Sequence, residues 1–208
     1  MNKLLINSLI AFITLSSLSA QNRNGVTRFY FKPALYAGIS VGPNAFVADG
    51  FSTYKFKGNI GFSENIFIGY NATETIGLRL VLGLNNINWP GKPETQIYPI
   101  NFRSQSLGIE ASYNLSNAIG IYDLGRLVDV SIYGGGGLMT RQKNKFPTDY
   151  FGFMFKAGGQ LDFRITRRLD ANLNGGIIVL NDNFDGYIFG APIDILAEIK
   201  AGITYHLR

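Results

Sequence analysis

The sequence contains no cysteine, a single histidine, and only 16% charged residues in 208. Without cysteine there are no disulfides, no thiolate metal sites and no lipid attachment through an N-terminal cysteine. Soluble domains carry about 25% charged residues, so this chain has unusually little charge to present to water. Its mild positive excess shows no clustering, and we expect no nucleic-acid partner.

Long apolar runs are also missing, apart from a short one at the N-terminus. Lys3 is followed by an apolar stretch from Leu4 to Leu15, and then by small residues up to Ala20. This order is typical of a cleaved secretory signal peptide, and the stretch is too short for a spanning helix. We predict a signal peptide over 1–20, with cleavage after Ala20 or one residue earlier, and a single domain over 21–208.

What the chain has instead is alternation of apolar and polar residues with a period of two. In the C-terminal stretch IDILAEIKAGITYHLR, only Leu196 departs from this pattern. The same period recurs along the chain and predicts strands rather than helices. We predict eight of them, over 29–43, 55–70, 75–86, 102–115, 127–139, 150–164, 168–181 and 192–207.

A few residues fall on the wrong face of the predicted strands. Glu64 shares a face with apolar neighbours, and a β-bulge near Ser63 to Asn65 would move it off that face. We leave the phase of this strand open. Conversely, several apolar residues fall among the polar positions: Val81, Met154, Ile178, Leu180 and Leu196.

The connections predict how the strands are arranged. Tight turns follow the second and sixth strands, whereas longer polar or Gly/Pro-rich segments follow the first, third, fifth and seventh. Short turns at one rim and long loops at the other are typical of an outer-membrane barrel. A soluble barrel with its apolar face inward is the alternative. The polar face of the predicted strands decides between the two. It is rich in Gly, Ser and Asn, which suit the narrow interior of an eight-stranded barrel, whereas a face exposed to water would be rich in Lys and Glu.

An aromatic residue stands near the end of each even-numbered predicted strand. There it begins a weak sequence repeat, as in YNATETIG and FRITRRLD. In an up-and-down barrel these strand ends share one rim, where an interfacial aromatic girdle belongs. We predict that this girdle consists of Tyr70, Tyr113, Phe163 and Tyr205.

Charged residues on the polar face predict a network inside the barrel. Isolated charges are costly to bury, so opposite charges at similar depth are expected to pair. We predict a salt-bridged plug made of Arg79, Glu110, Lys156, Glu198 and Lys200. A separate basic patch, formed by Arg141, Lys143 and Lys145, is predicted on a surface loop, where it could contact lipopolysaccharide phosphates.

No motif predicts catalysis or a cofactor. His206 falls at the turn rim with no serine and carboxylate pattern around it, and we predict that the protein is not an enzyme. The segment NDNFDG resembles the start of a calcium loop, but its twelfth position is Pro192 rather than a glutamate, so no metal site is predicted. Gly134 to Gly137 are interpreted as strand glycines rather than a phosphate-binding loop.

On this alternation and architecture, the chain resembles the small eight-stranded OmpA-like outer-membrane barrels, in particular the stand-alone family of Bacteroidetes-type bacteria. The resemblance spans about residues 25–208. It implies an all-β, eight-stranded antiparallel up-and-down transmembrane β-barrel in the outer membrane of a Gram-negative cell envelope. Family members often end in an aromatic residue that the assembly machinery recognises, whereas this chain ends Tyr205-His206-Leu207-Arg208.

We therefore expect an integral outer-membrane protein with a structural role and a side-chain-filled lumen. The alternatives are a small-solute pore or transporter, and a surface-binding or adhesion protein with Trp89, Pro90 and Tyr98 as loop anchors. The expected partners are outer-membrane lipid or lipopolysaccharide and, through the C-terminal strand, the assembly machinery. We expect a monomer.

Overall fold

The computed structural model describes residues 31–47, 60–89, 100–120, 122, 125–141, 149–181, 184 and 193–207. These residues form eight strands and one short helix. The elements are β1 (Ala34–Val47), β2 (Ile60–Asn71), β3 (Ile76–Trp89), β4 (Ile100–Asn114), α1 (Leu115–Ile119), β5 (Val128–Arg141), β6 (Tyr150–Arg164), β7 (Leu169–Asn181) and β8 (Ile193–Leu207). The predicted signal peptide lies outside the described residues.

The eight strands close into an antiparallel barrel in which each strand pairs with its neighbours in sequence. β1 and β8 complete the ring, with pairs running from Leu35↔Leu207 to Val47↔Ile195. The predicted fold class is confirmed. Following paired residues once around from Leu35 leads back to β1 at Ala45, ten residues further on. For eight strands, this stagger corresponds to a tilt of about 40°.

The first strand begins and ends later than the predicted range of 29–43. It starts at Ala34, after residues 31–33, and continues past Pro43 to Val47, although proline has no N–H group to donate to a sheet. Pairing with β2 runs through Pro43↔Phe62. Pairing with β8 is interrupted instead, between Val41↔Ala201 and Asn44↔Glu198. The missing N–H therefore leaves a local gap at the seam of the barrel without ending the strand.

Two of the tight turns share one construction. Ala72 and Thr73 donate their backbone N–H groups to the carbonyl of Ile76, as Ile165 and Thr166 do to that of Leu169. The Thr73 hydroxyl accepts from Ile76 N at 2.9 Å, and the Thr166 hydroxyl accepts from Leu169 N at 3.0 Å. In YNATETIG and FRITRRLD, the weak repeat is therefore a repeated threonine turn. We call the end of the barrel that holds these turns the turn rim, and the opposite end the loop rim.

The remaining connection at the turn rim, between β4 and β5, contains α1, which the period-two alternation does not predict. The Asn114 side chain accepts from Asn117 N at 2.8 Å and so caps the helix start. The helix ends at Gly120, whose N–H donates to the Ser116 carbonyl at 3.0 Å. Five residues are too few for a periodic pattern to reveal a helix. No helix among the described residues is long and apolar enough to cross a membrane.

Apolar side chains cover the outside of the barrel and polar ones fill much of the inside. Ile66 and Ile109 are each 62% exposed, whereas the inward Arg79 is only 7% exposed. Glu64 points outward with Ile66, and the ladder passes through Val41↔Glu64 and Glu64↔Leu84 without a bulge. The open phase of β2 is thereby resolved, with one carboxylate on the outer surface.

Candidate functional site

The five inward charges proposed from the sequence lie together in the middle of the lumen. They come from four strands that the barrel brings to face one another: Arg79 on β3, Glu110 on β4, Lys156 on β6, and Glu198 and Lys200 on β8. Arg79 and Glu110 are direct cross-strand partners. All five are at most 7% exposed.

Their ion pairs form a chain of alternating sign. Arg79 Nε lies 2.5 Å from Glu110 Oε2, and Lys156 Nζ lies 3.2 Å from Glu110 Oε1. Lys156 Nζ also lies 2.7 Å from Glu198 Oε1, which in turn pairs with Lys200. Each carboxylate therefore serves two cations. With three cations and two carboxylates, this network of five side chains has a net charge of +1.

Neutral side chains complete both ends of this network. At one end, Arg79 Nη1 donates to Gln160 Oε1 at 2.7 Å, and its guanidinium lies over the Tyr133 ring, 4.5 Å from the centroid. At the other end, Lys200 Nζ donates to the amide oxygen of Asn65 at 2.6 Å, in the amide orientation that satisfies both groups. Buried charges need such additional hydrogen bonds to offset desolvation.

A second charged layer fills the turn-rim end of the lumen. Arg126 Nη1 lies 2.9 Å from Asp129 Oδ1, and Arg164 lies 3.6 Å from both Asp129 and Asp170. His206 Nε2 is 2.7 Å from Asp170 Oδ2. His206 thus hydrogen-bonds to a carboxylate of this ion-pair cluster, at the rim where the sequence places it.

The loop-rim end of the lumen is filled by an apolar cluster that sequence reasoning missed. Phe184, from the segment after β7, is fully buried, and its ring contacts those of Phe46, Phe102 and Tyr150 at centroid distances of 5.2–5.7 Å. The cluster comprises Phe46, Ile87, Phe102, Met139, Tyr150, Met154, Ile178, Leu180, Phe184 and Leu196. We call it the apolar plug. Four of its members are residues that break the alternation in the sequence, which is the signal that could have revealed it.

The basic loop patch is not placed as predicted. Arg141 is the last residue of β5 and only 1% exposed; its Nη1 donates to the Phe184 carbonyl at 2.6 Å. The prediction of a surface position was therefore wrong for Arg141, because its side chain turns inward and holds the segment that carries Phe184. Lys143 and Lys145 lie outside the described residues.

The four aromatics at the strand ends point outward and share one level. Tyr70, Tyr113, Phe163 and Tyr205 are 37–44% exposed. Relative to the ladder that starts at Tyr70, the other three lie two, six and eight residues towards the turn rim. Because of the stagger, a row of paired residues shifts towards the loop rim by roughly 1.25 residues at each successive strand. The shift from β2 is thus about 2.5 residues at β4, 5 at β6 and 7.5 at β8, which nearly cancels the offsets of two, six and eight residues. The four rings thus lie within about one residue of the same height.

The described residues contain no cluster of three or more histidine, cysteine or acidic side chains that could hold a metal ion. Of the calcium-like segment, Asn181 ends β7, while Asn183, Asp185, Gly186 and Pro192 lie outside the described residues. The glycines from Gly134 to Gly137 lie within β5. They thus occupy a strand, as interpreted from the sequence.

The barrel is similar to solved outer-membrane proteins. Neisserial surface protein A matches 84% of this chain and 99% of its own, with 16% identity and a TM-score of 0.51. The attachment invasion locus protein Ail of Yersinia pestis, solved with the heparin analogue sucrose octasulfate, matches 85% and 100%, with 10% identity and a TM-score of 0.51. This chain has the outer-membrane barrel fold. At these identities the similarity shows the fold alone, and comparison with protein-family models and curated protein sequences gives no match.

Proposed function

We propose that this protein is an integral outer-membrane barrel with a structural role in the cell envelope and a closed lumen. The observation that carries the proposal is the filling of the interior in three successive layers. The rim ion pairs occupy one end, the five-charge network the middle, and the apolar plug the other end. Water and ions would have to displace buried, mutually paired side chains to pass.

The outer surface supports membrane insertion. The largest exposed apolar patch on a typical soluble monomer covers about 300–600 Å², whereas here exposed Ile, Leu, Val and Phe side chains occur on every strand. Barrel closure also satisfies the backbone groups that lipid cannot. Together with the predicted signal peptide over 1–20, this arrangement favours export and insertion into the outer membrane.

The finer features of the proposal follow the resemblance to the stand-alone OmpA-like barrels of Gram-negative bacteria. They include a monomeric state, contact with outer-membrane lipid or lipopolysaccharide, and delivery to the assembly machinery through β8. A structural role requires no cofactor, and the protein is proposed to have no enzymatic activity. His206 and Asp170, the histidine–carboxylate pair, are accounted for by the rim ion cluster that also includes Arg164.

The alternatives make different demands on the molecule. A small-solute pore would need a water-filled path through the layers, and the filled interior ranks this role below a structural one. A surface-binding role would depend on the long loops, most of whose residues, including Pro90 and Tyr98, lie outside the described residues. Loop-mediated adhesion is therefore the second candidate function, and it would depend on these loops alone.

Single-channel recording of the purified, refolded barrel in planar lipid bilayers tests the closed lumen. We expect no stable large openings for the native protein. Heat-modifiable gel migration of the same preparation should establish that the barrel is folded and inserted. Stable openings that are unchanged after Glu198→Gln would contradict the proposal, because conduction would then bypass the network.

A further inference from the structure

A polar notch cuts into the otherwise apolar outer surface near the loop rim. On β2, β3 and β4, four outward positions around Leu84 are polar: Glu64, Asn86, Arg103 and Gln105. At comparable heights the outward positions elsewhere on the described strands are mainly apolar, such as Phe62, Leu107, Leu138, Phe153, Phe155, Val179 and Ile195. Apart from Asn181 on β7, these polar side chains are thus gathered on one side of the barrel.

These residues form a concave site rather than a scattered set. Leu84 pairs with Glu64 on one side and with Gln105 on the other, and Asn86 pairs with Arg103. Arg103 Nε donates to Asn86 Oδ1 at 3.1 Å, which fixes the guanidinium beside the amide. Together with Asn85 and Ser104 they line a depression of about 390 Å³. That volume is in the range of small-molecule sites, about 300–1,000 Å³.

The notch spans the upper part of the apolar band. A tilted strand climbs about 2.5 Å per residue along the barrel axis. Glu64 lies six residues above Tyr70 on the same strand, which is about 15 Å above the aromatic girdle. For Arg103 on β4, the stagger between strands is added, and its height above the girdle is about 26 Å. The apolar band of such barrels is about 25 Å tall. Arg103 therefore stands at the headgroup boundary, while Glu64 faces acyl chains.

We propose that this notch binds one molecule of a phosphorylated glycolipid, of the class that anchors lipopolysaccharide. A phosphate would accept hydrogen bonds from the Arg103 guanidinium and the Gln105 amide at the boundary. The Glu64 carboxylate, about 11 Å deeper by the same reckoning, would accept from an amide N–H or hydroxyl at the root of the acyl chains. The chains themselves would continue down the apolar wall over Leu82 and Ile109. The inference rests on the proposed outer-membrane location.

The charges argue against a second copy of the chain as the occupant. A two-fold dimer in a membrane has its axis along the membrane normal, so each residue meets its counterpart at the same height. Glu64 and Arg103 differ in height by about 11 Å, so neither could pair with the other across such an axis, and both charges would stay unpaired in a medium of low dielectric constant. A lipid that carries a phosphate above and hydrogen-bond donors below complements both groups in one molecule.

Native mass spectrometry of the refolded full-length barrel in detergent tests the proposal, with purified lipid A added as the probe. We expect one bound lipid A per barrel, with binding weakened about tenfold or more in Arg103→Gln, since a charge-assisted hydrogen bond is lost. Glu64→Leu should also weaken binding. Arg167→Gln, which removes the same charge from the exposed turn between β6 and β7, is the matched control and should bind like the native protein.

Further arms distinguish the possible occupants. Dephosphorylated lipid A and phosphatidylethanolamine should each bind at least about tenfold more weakly than lipid A. Equal binding of either lipid, or equal binding of lipid A by the native protein and the Arg103→Gln and Glu64→Leu variants, would overturn the assignment. A dimer that these substitutions dissociate would overturn it in favour of a second copy. Heat-modifiable migration and conductance of the same samples report on the barrel and its closed lumen separately.

Discussion

Removal of Glu198 should destabilise the barrel more than removal of Lys200, although the two residues form one ion pair. Glu198 is the only carboxylate paired with Lys200 in the network and also pairs with Lys156 at 2.7 Å. Glu198→Gln raises the net charge of the buried network from +1 to +2. Breaking a buried pair in this way costs about 3–5 kcal/mol. Lys200→Met instead lowers the net charge to zero and leaves Glu198 paired with Lys156, so we expect a change between a small loss and a small gain.

The measurement is equilibrium urea unfolding in phospholipid bilayers, followed by the fluorescence of Trp89, the only tryptophan. The double variant Glu198→Gln/Lys200→Met restores a net charge of +1 and should lose less free energy of unfolding than Glu198→Gln alone. Glu74→Gln, at an exposed turn position, is the control and should stay within about 0.5 kcal/mol. A loss below about 1 kcal/mol for Glu198→Gln, or an equal loss for Lys200→Met, would refute the charge argument.

Three further outcomes are expected. Phe184→Ala should lower the free energy of unfolding by about 3 kcal/mol or more, the usual cost of emptying a packed aromatic site, and an unchanged urea midpoint would show that the apolar plug is not packed. Ile66→Arg should cost about 2–4 kcal/mol in bilayers because the outward side chain faces hydrocarbon; a neutral result would contradict membrane exposure at this position. Gly69→Ala should lower the free energy of unfolding by about 1–3 kcal/mol because the added methyl overlaps the Tyr36 ring. This loss should disappear in a Tyr36→Ala background. An equal loss in both backgrounds would show that it arises from the backbone instead.

The closed barrel could be predicted because lipid and lumen impose opposite chemistry on adjacent residues. In β8, Ile199 faces outward at 61% exposure while Lys200 is fully buried, and this contrast repeats along the strand as a period of two. The pairing of inward charges also followed from the sequence, because isolated buried charges are too costly to leave unpaired. Neither inference required knowledge of the exact register between strands.

The apolar plug was not predicted, because the alternation that reveals the fold assigns inward positions to polar residues and leaves apolar ones there as exceptions. In the sequence, Met154, Ile178 and Leu196 stand out only as apolar exceptions among the polar positions, and their side chains are 5% exposed or less inside the barrel. Their partner Phe184 comes from a connecting segment with no periodic pattern. The inward turn of Arg141 follows from the same cause, since its acceptor is the Phe184 carbonyl.

The two charged layers of the lumen have opposite formal charges and are joined by one side chain. With His206 counted as neutral, the central network has a formal charge of +1, and the rim layer has a formal charge of −1 from Asp129, Asp162 and Asp170 against Arg126 and Arg164. Gln160 joins the layers, since its Oε1 accepts from Arg79 and its Nε2 donates to Asp162 Oδ1 at 2.7 Å. An amide can serve both neighbours because it presents an acceptor to a cation and a donor to a carboxylate. A substitution in one layer therefore changes the electrostatic environment of the other, and the lumen should respond to charge changes as a whole rather than pair by pair.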